Sequence, residues 1–258
     1  MPYAEIAPAS ELRSLVECYW TISGPSAAHR VLPDGCIDVL LGGSSRGIVV
    51  GTMTRAIVSP ASSEGVIGIR FRAGEAARLL PAAPRELTDG VAPLDDLWDS
   101  ASELEDTLLG VLERSSTEPL AAAPSIDELL SRRIARSGGA VDLRIRAALA
   151  FLADGGTVHE AARAACLSER QLTRRFEARV GIAPKMFGRV TRLQRAVAAI
   201  SAGERASVAA AVAGYADQAH FTRDASALAG VTPRVLVAER RPPPVVSDSF
   251  KTAGAAST

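Results

Sequence analysis

The sequence predicts a two-domain chain: an α+β N-terminal domain followed by an all-α domain of two helix-turn-helix units joined by a long helix. Three observations carry this. The first is a near-repeat, SERQLTRRFEARVGIAP at residues 168–184 and DQAHFTRDASALAGVTP at 217–233, offset by 49 residues. Both copies open on an N-cap residue, place Thr-Arg after an apolar residue and close on Gly-x-x-Pro, and an Ala-rich segment precedes each. The second is that strand signals stop near residue 72, beyond which the periodicity is helical. The third is charge. The 29 basic and 29 acidic residues cancel over the chain, yet residues 132–241 hold 19 Lys+Arg against 9 Asp+Glu and the rest holds 10 against 20. A +10 block joined to a −10 block points to a polyanionic partner for the basic part.

In chain order, RVLPDGCIDVLL at residues 30–41 sets a Pro-Asp-Gly turn between apolar runs, residues 47–59 are β-branched and Gly-punctuated, and GVIGIRFR at 65–72 alternates toward its end. These predict a small sheet. A short helix over residues 74–80 is stopped by Pro81, and a longer amphipathic helix spans about 100–112, with Leu104, Leu108, Val111 and Leu112 on one face. Residues 1–114 form the expected α+β regulatory or sensor domain. Tyr19 and Trp20 read as core in preference to a ligand-stacking platform. Asp34, in its Pro-Asp-Gly context, reads as a turn residue and not as part of a metal or acid/base cluster with Asp38 and His29. Arg70 and Arg72 alternate with Ile69 and Phe71; they are candidate binders of an anionic ligand, or partners for the domain's carboxylates.

Residues 115–140 are expected to be a linker with a short helix, because SSTEPLAAAP is small, polar and Pro-bearing. Ser125 with Glu128 has the spacing of a capping box, and Gly138-Gly139 ends that helix. Residues 141–241 are the expected DNA-binding domain. Asp142 caps its first helix, with Leu143, Ala147, Leu149 and Phe151 expected toward the core. The tail from 242 to 258 has the composition of a disordered segment.

In the first repeat unit, Thr157 and Glu160 form a capping box for a helix to about Ala165, and a tight turn at Cys166-Leu167 follows. The next helix puts Leu172, Phe176 and Val180 on one stripe. The other face carries Arg170, Gln171 and Arg174, with Thr173 beside them. These can reach base edges: Arg bidentate to guanine, Gln to adenine, Thr to a methyl group or phosphate. In the second unit Gln218, Ala219, His220, Thr222 and Arg223 take the equivalent positions and Phe221 lies in the core. Ala225 and Ala229 stand where the first unit has Phe176 and Val180, so the second core is expected to be thinner. A helix from Lys185 to Ile200 links the units, with Phe187, Val190, Leu193, Val197 and Ile200 apolar. At 1.5 Å per residue it is a rod of about 24 Å, long enough with the units' own width to hold two recognition helices about 34 Å apart, one DNA turn. Arg175, Lys185, Arg189 and Arg192 are candidate phosphate contacts.

At these residues the chain resembles the AraC/XylS family of bacterial transcription regulators. The resemblance spans about residues 142–240 and rests on LSERQLTRRFEARVGIAP, on RLQRA at 192–196, and on GYADQAHFTRD with GVTP at 214–233. It implies a seven-helix DNA-binding domain, base-contacting roles for Arg170, Thr173, Arg174, Gln218, Ala219, His220 and Arg223, double-stranded DNA and RNA polymerase as partners, transcription regulation as activator or repressor in the bacterial cytoplasm at the nucleoid, and no cofactor. The chain departs from the family at Cys166, where a turn glycine is usual, at Ala209 and Ala225, and at Ser226. YW at 19–20, VLPDGCIDVL at 31–40, GIRFRAGEAARLL at 68–80 and ELTDGVAPLDDLW at 86–98 resemble a shorter N-terminal domain of many regulators of this family; a small-molecule effector and a homodimer remain open.

No apolar run approaches the roughly 18 residues that span a bilayer, so no membrane partner is expected. Cys18, Cys36 and Cys166 have no metal-ligand spacing. That argues against the main enzymatic alternative, a methyl-transfer repair domain fused to a DNA-binding domain, which needs a metal-bound thiolate; no metal site or catalytic residue is expected. The other alternative is a protein-interaction module. The charge split also raises an autoinhibited arrangement in which the acidic domain covers the basic one.

Overall fold

The computed structural model describes residues 3–42, 46–114 and 123–240. A six-stranded antiparallel sheet runs in the order β1-β2-β7-β4-β5-β8, built from β1 (Tyr3–Ile6), β2 (Val16–Ile22), β4 (Ile37–Gly42), β5 (Ile48–Val50), β7 (Val66–Phe71) and β8 (Val91–Pro93). The period-2 pattern fixes its faces. Tyr19, Ile69 and Val39 stand in one row across three strands, and Thr21, Ile67 and Leu41 in the next. These rows are buried under α1 (Ala101–Arg114) and α2 (Ala123–Ser137), through Leu104, Leu108 and Val111 of the first and Ile126, Leu129 and Leu130 of the second. On the other face the Trp20 indole lies on Gly68, where a Cβ would come within 2.3 Å of the ring. That close approach is why a strand interior carries glycine here.

The helix expected inside the linker is therefore part of the first core. It starts at Ala123, two residues ahead of the expected cap at Ser125, and the Tyr19 hydroxyl donates to its Asp127 at 2.6 Å. The short helix expected over 74–80 is a single 3-10 turn at Ala76–Arg78. Residues 115–122 of the expected linker and the tail from 242 lie outside the described residues.

The remaining helices are α3 (Leu143–Ala153), α4 (Val158–Ala164), α5 (Glu169–Val180), α6 (Pro184–Ser201), α7 (Ala206–Val212), α8 (Gln218–Asp224) and α9 (Pro233–Arg240). Asp142 caps α3 by accepting from the Arg144 and Ile145 amides, as expected. The expected core face of α3 is met only in part: Leu149 is half-buried against the core, but the buried stripe lies a quarter-turn round. Leu143 and Phe151 are 71% and 47% exposed, whereas Ile145, Ala148 and Leu152 are buried. The helix is apolar on most sides, so two stripes compete in the sequence; packing of α3 against α4 and α6 selects the i, i+3, i+7 one.

The rod α6 belongs to two cores. Phe187 and Val190 pack with Leu172, Phe176 and Val180 of α5, while Leu193, Ala196, Val197 and Ile200 pack with α7 to α9. All five apolar positions expected on it are buried. Beside the sheet, β3 (His29–Val31) and β6 (Ile57–Ser59) form a separate two-stranded ribbon. Leu32, at its base, is buried in the core of the second helical unit.

Candidate nucleic-acid interface

Each repeat unit is a helix pair ending in a capped second helix. In the first, Thr157 and Glu160 close a capping box on α4, and Ser168 and Gln171 close another on α5. In the second, Asp217 accepts from the His220 amide to start α8. The turns differ by a residue: four residues separate α4 from α5 and five separate α7 from α8. In the first, Cys166 takes the left-handed conformation at φ 50°; in the second, Gly214 does so at φ 83°. Non-glycine residues enter that region at a steric cost, which glycine lacks.

The cap geometry aims the N-terminal half of each second helix outward. Arg170, Gln171 and Arg174 are exposed on α5, and Gln218, Ala219 and Arg223 on α8. Thr173 and Thr222 are half-buried, each hydroxyl donating to the carbonyl four residues back at 2.9 and 2.8 Å. Gln171 has its side-chain oxygen committed, accepting from the Ser168 amide at 2.9 Å, so only its amide hydrogens are left for a partner. His220 packs its ring edge on Tyr215 with centroids 5.1 Å apart, and its Nε2 lies 3.9 Å from Asp224 Oδ2.

The candidate phosphate contacts are less alike than the sequence implied. Lys185 is exposed at the start of the rod. Arg175 donates to Asp142 at 3.1 Å, Arg192 stacks over the Tyr215 ring at 5.6 Å, and Arg189 donates twice to Asp224. Asp224 is a residue that sequence reasoning did not find. It is an acid on a basic face, and only the fold shows that it points inward.

The first domain touches both units at the ends of their second helices away from the caps. Thr52 donates to Val180 O at 2.6 Å and Thr88 to Gly181 O at 2.7 Å, where α5 ends. At the end of the α8 segment, the Ala56 amide donates to Leu228 O at 2.6 Å and Arg30 to Ala229 O at 3.1 Å. There α8 continues into a π-helical stretch, Ala225–Ala229, which the sequence pattern did not reveal. Arg30 also pairs with Glu239, and Gln194 of the rod donates to Pro33 O at 2.6 Å. No residue in the sequence announces these contacts, because their partners lie more than 90 positions away.

Arg70 and Arg72, the candidate anion binders, both face carboxylates. Arg70 Nε lies 3.1 Å from Asp38 and 3.4 Å from Asp34, and Arg72 pairs with Glu17. Asp34 also accepts from the Cys36 amide at 2.9 Å, the geometry of the expected turn residue. Burial pushes the Asp38 carboxyl up to about 6, against the pull of Arg70. No helix among the described residues is long and apolar enough to cross a membrane.

Residues 161–239 match the family described as a helix-turn-helix domain, and residues 4–93 match a domain of unknown function, DUF6597. The chain therefore carries an AraC-type helix-turn-helix domain, a DNA-binding architecture, behind a DUF6597 domain. Among solved structures it is similar to ToxT from Vibrio cholerae, at 10% identity over 86% of this chain and 98% of that one, with a TM-score of 0.52. A second structure, ToxT from Vibrio cholerae O395, gives 12% identity over the same shares and a TM-score of 0.50. At that identity the likeness is one of fold, and it extends over both domains. A search of curated proteins gave no match.

Proposed function

We propose that the chain is a sequence-specific DNA-binding transcription regulator that sets α5 and α8 into successive major-groove segments under the influence of its N-terminal domain. The observation that carries this reading is the pair of capped helices with exposed polar N-terminal halves, mounted on one 18-residue rod. At 1.5 Å per residue the rod is about 27 Å long, compatible with the ~34 Å turn of a duplex once the width of the units is added. Arg170, Arg174 and Arg223 supply forked donors for guanine, and Gln218 supplies an amide for adenine. Lys185 is exposed and has no internal ion pair or ring contact described, whereas Arg175 and Arg189 reach a phosphate only by sharing or exchanging their carboxylate partners and Arg192 only by leaving or sharing the Tyr215 ring.

The test is selection of bound duplexes from a random pool, followed by affinity measured against salt. The reading expects one enriched bipartite site, and affinity that falls steeply with salt as counterions are released. Absence of any enriched sequence would overturn it.

A further inference from the structure

One short segment of the first domain is bonded to both recognition-helix ends. Residues 52–56 begin at Thr52, whose hydroxyl donates to Val180 O, and finish at Ala56, whose amide donates to Leu228 O. Thr52 is completely buried. Five residues thus connect the end of α5 to the end of the α8 segment by a route independent of the rod.

The segment is itself held stiff. Asp89 sits in a left-handed conformation at φ 55°, and its amide donates to Thr52 O at 3.0 Å. Its carboxylate accepts from the Thr54 amide at 2.7 Å and from the Thr54 hydroxyl. Next to it, Thr88 makes the second bond to the end of α5, and Gly51 packs so tightly on Leu87 that a Cβ would fall 1.8 Å from its carbonyl oxygen. On the far side, Arg30 adds a bond to Ala229 O and an ion pair to Glu239 of α9.

We infer that residues 52–56, buttressed by Asp89, are a brace that fixes the mutual placement of the two recognition helices and so sets the spacing between the two halves of the DNA site. This rests on the DNA-reading function proposed above and adds spacing-determining residues, none of which is among the candidate DNA contacts. A single helix shared by two cores leaves the units free to bend and twist about it, and α6 carries Gly188 between Phe187 and Arg189, a residue that weakens helix interiors. A second connection closes a ring of contacts and removes that freedom. The bonds fall on carbonyls at the helix C-termini, opposite in each helix to the capped ends, so the brace orients the reading faces without covering them. Asp89, Thr52, Thr88 and Arg30 are positioning residues in this arrangement.

The experiment compares full-length wild type with Asp89→Ala, Asp89→Asn, the Thr52→Val/Thr88→Val pair and Arg30→Met. The DNA probes are the selected duplex and versions with one base pair added or removed between its halves. Each such change shifts one half by about 3.4 Å and turns it by about 35°. Wild type is expected to lose at least about tenfold in affinity on either altered probe, a coupling of roughly 1.4 kcal/mol. Asp89→Ala, the threonine pair and Arg30→Met should flatten that profile to within about threefold while still binding the selected site. Asp89→Asn retains an acceptor for the Thr54 amide and tolerates positive φ, so it should restore the wild-type profile. Unchanged spacing preference in the variants would overturn the brace alone. So would uniformly tighter binding to all three probes, the outcome of a contact that merely holds the domain off DNA. If no duplex is selected at all, the DNA-reading function falls and the brace with it.

Discussion

Arg189 of the rod grips Asp224 at the end of α8: Nε and Nη2 both donate to Oδ1, at 3.0 and 2.9 Å, and the carboxylate is only 7% exposed. The other oxygen, Oδ2, is buried without a hydrogen-bond partner. Removing one member of a buried ion pair typically costs about 3–5 kcal/mol, because the other charge is stranded. Arg189 is 31% exposed, so solvent screens part of that loss. Arg189→Met should therefore destabilise the protein by about 2 kcal/mol in a denaturant titration, and adding Asp224→Asn should recover part of it. Additive losses in the double variant would show that the pair does not couple α6 to α8.

Arg174 and Arg223 lie exposed on α5 and α8, with no internal ion pair described for either. Under the proposed function, each changed to alanine should cost roughly 1–3 kcal/mol of binding to the selected duplex and relax the sequence preference at nearby base pairs. Lys185→Ala should weaken all duplexes alike and lower the salt dependence by about one ion. Affinity unmoved by either arginine substitution would mean that a different face meets the DNA.

The helix-turn-helix units were legible in the sequence because their signals are local. Caps at Thr157, Ser168 and Asp217, the Leu172/Phe176/Val180 stripe and the rod's five apolar positions each lie within a few residues of what they define. Where the local pattern is ambiguous, as on the nearly all-apolar α3, Leu143 and Phe151 are expected in the core but are exposed, while Leu149 does pack there. What stayed hidden was long-range: α2 looked like a linker helix until the sheet claimed it, and Thr52, Thr88 and Arg30 are ordinary residues until their carbonyl partners arrive from more than 90 positions away.

Cys166 holds φ 50° in the turn before α5 and its side chain is exposed. A left-handed non-glycine residue costs roughly 1–2 kcal/mol, and glycine gives back part of that gain through its freer unfolded chain. Cys166→Gly should stabilise the protein by about 0.5–1 kcal/mol, seen as a raised thermal midpoint. A lowered midpoint would mean that the thiol makes contacts worth more than the backbone strain.

Asp38 shapes the pH dependence of the first domain. Its folded value of about 6 lies above the ordinary 3.8, because burial outweighs the pull of Arg70 and the Trp20 Nε1 hydrogen bond, and Asp34 adds repulsion. Between those values the folded chain binds more protons than the unfolded one, so this group's contribution is complete below about pH 4 and is lost as pH rises through about 6. Asp38→Asn should flatten the stability profile across that window. An unaltered slope would assign the effect to another group.

The second helical unit does not complete its core alone. Ala209, Ala225 and Ala229 leave it short of large side chains, as their sequence positions suggested, and Leu32 enters from the first domain to lie 7% exposed among Leu193, Phe221 and Leu228. Leu32→Ala removes a side chain whose loss from a core typically costs about 2–5 kcal/mol, and the lower end applies at a domain boundary that can close up. The loss should be local. Hydrogen exchange should quicken in α7, α8 and the π-helical stretch after it, while α5, with Phe176 and Val180 in place, keeps its protection. Uniform loss of protection across both units would mean that they unfold together and that Leu32 supports the whole helical domain. If the loss is local, the order of α8 depends on the first domain's being docked, and under the proposed function that domain has physical leverage over one half of the DNA site.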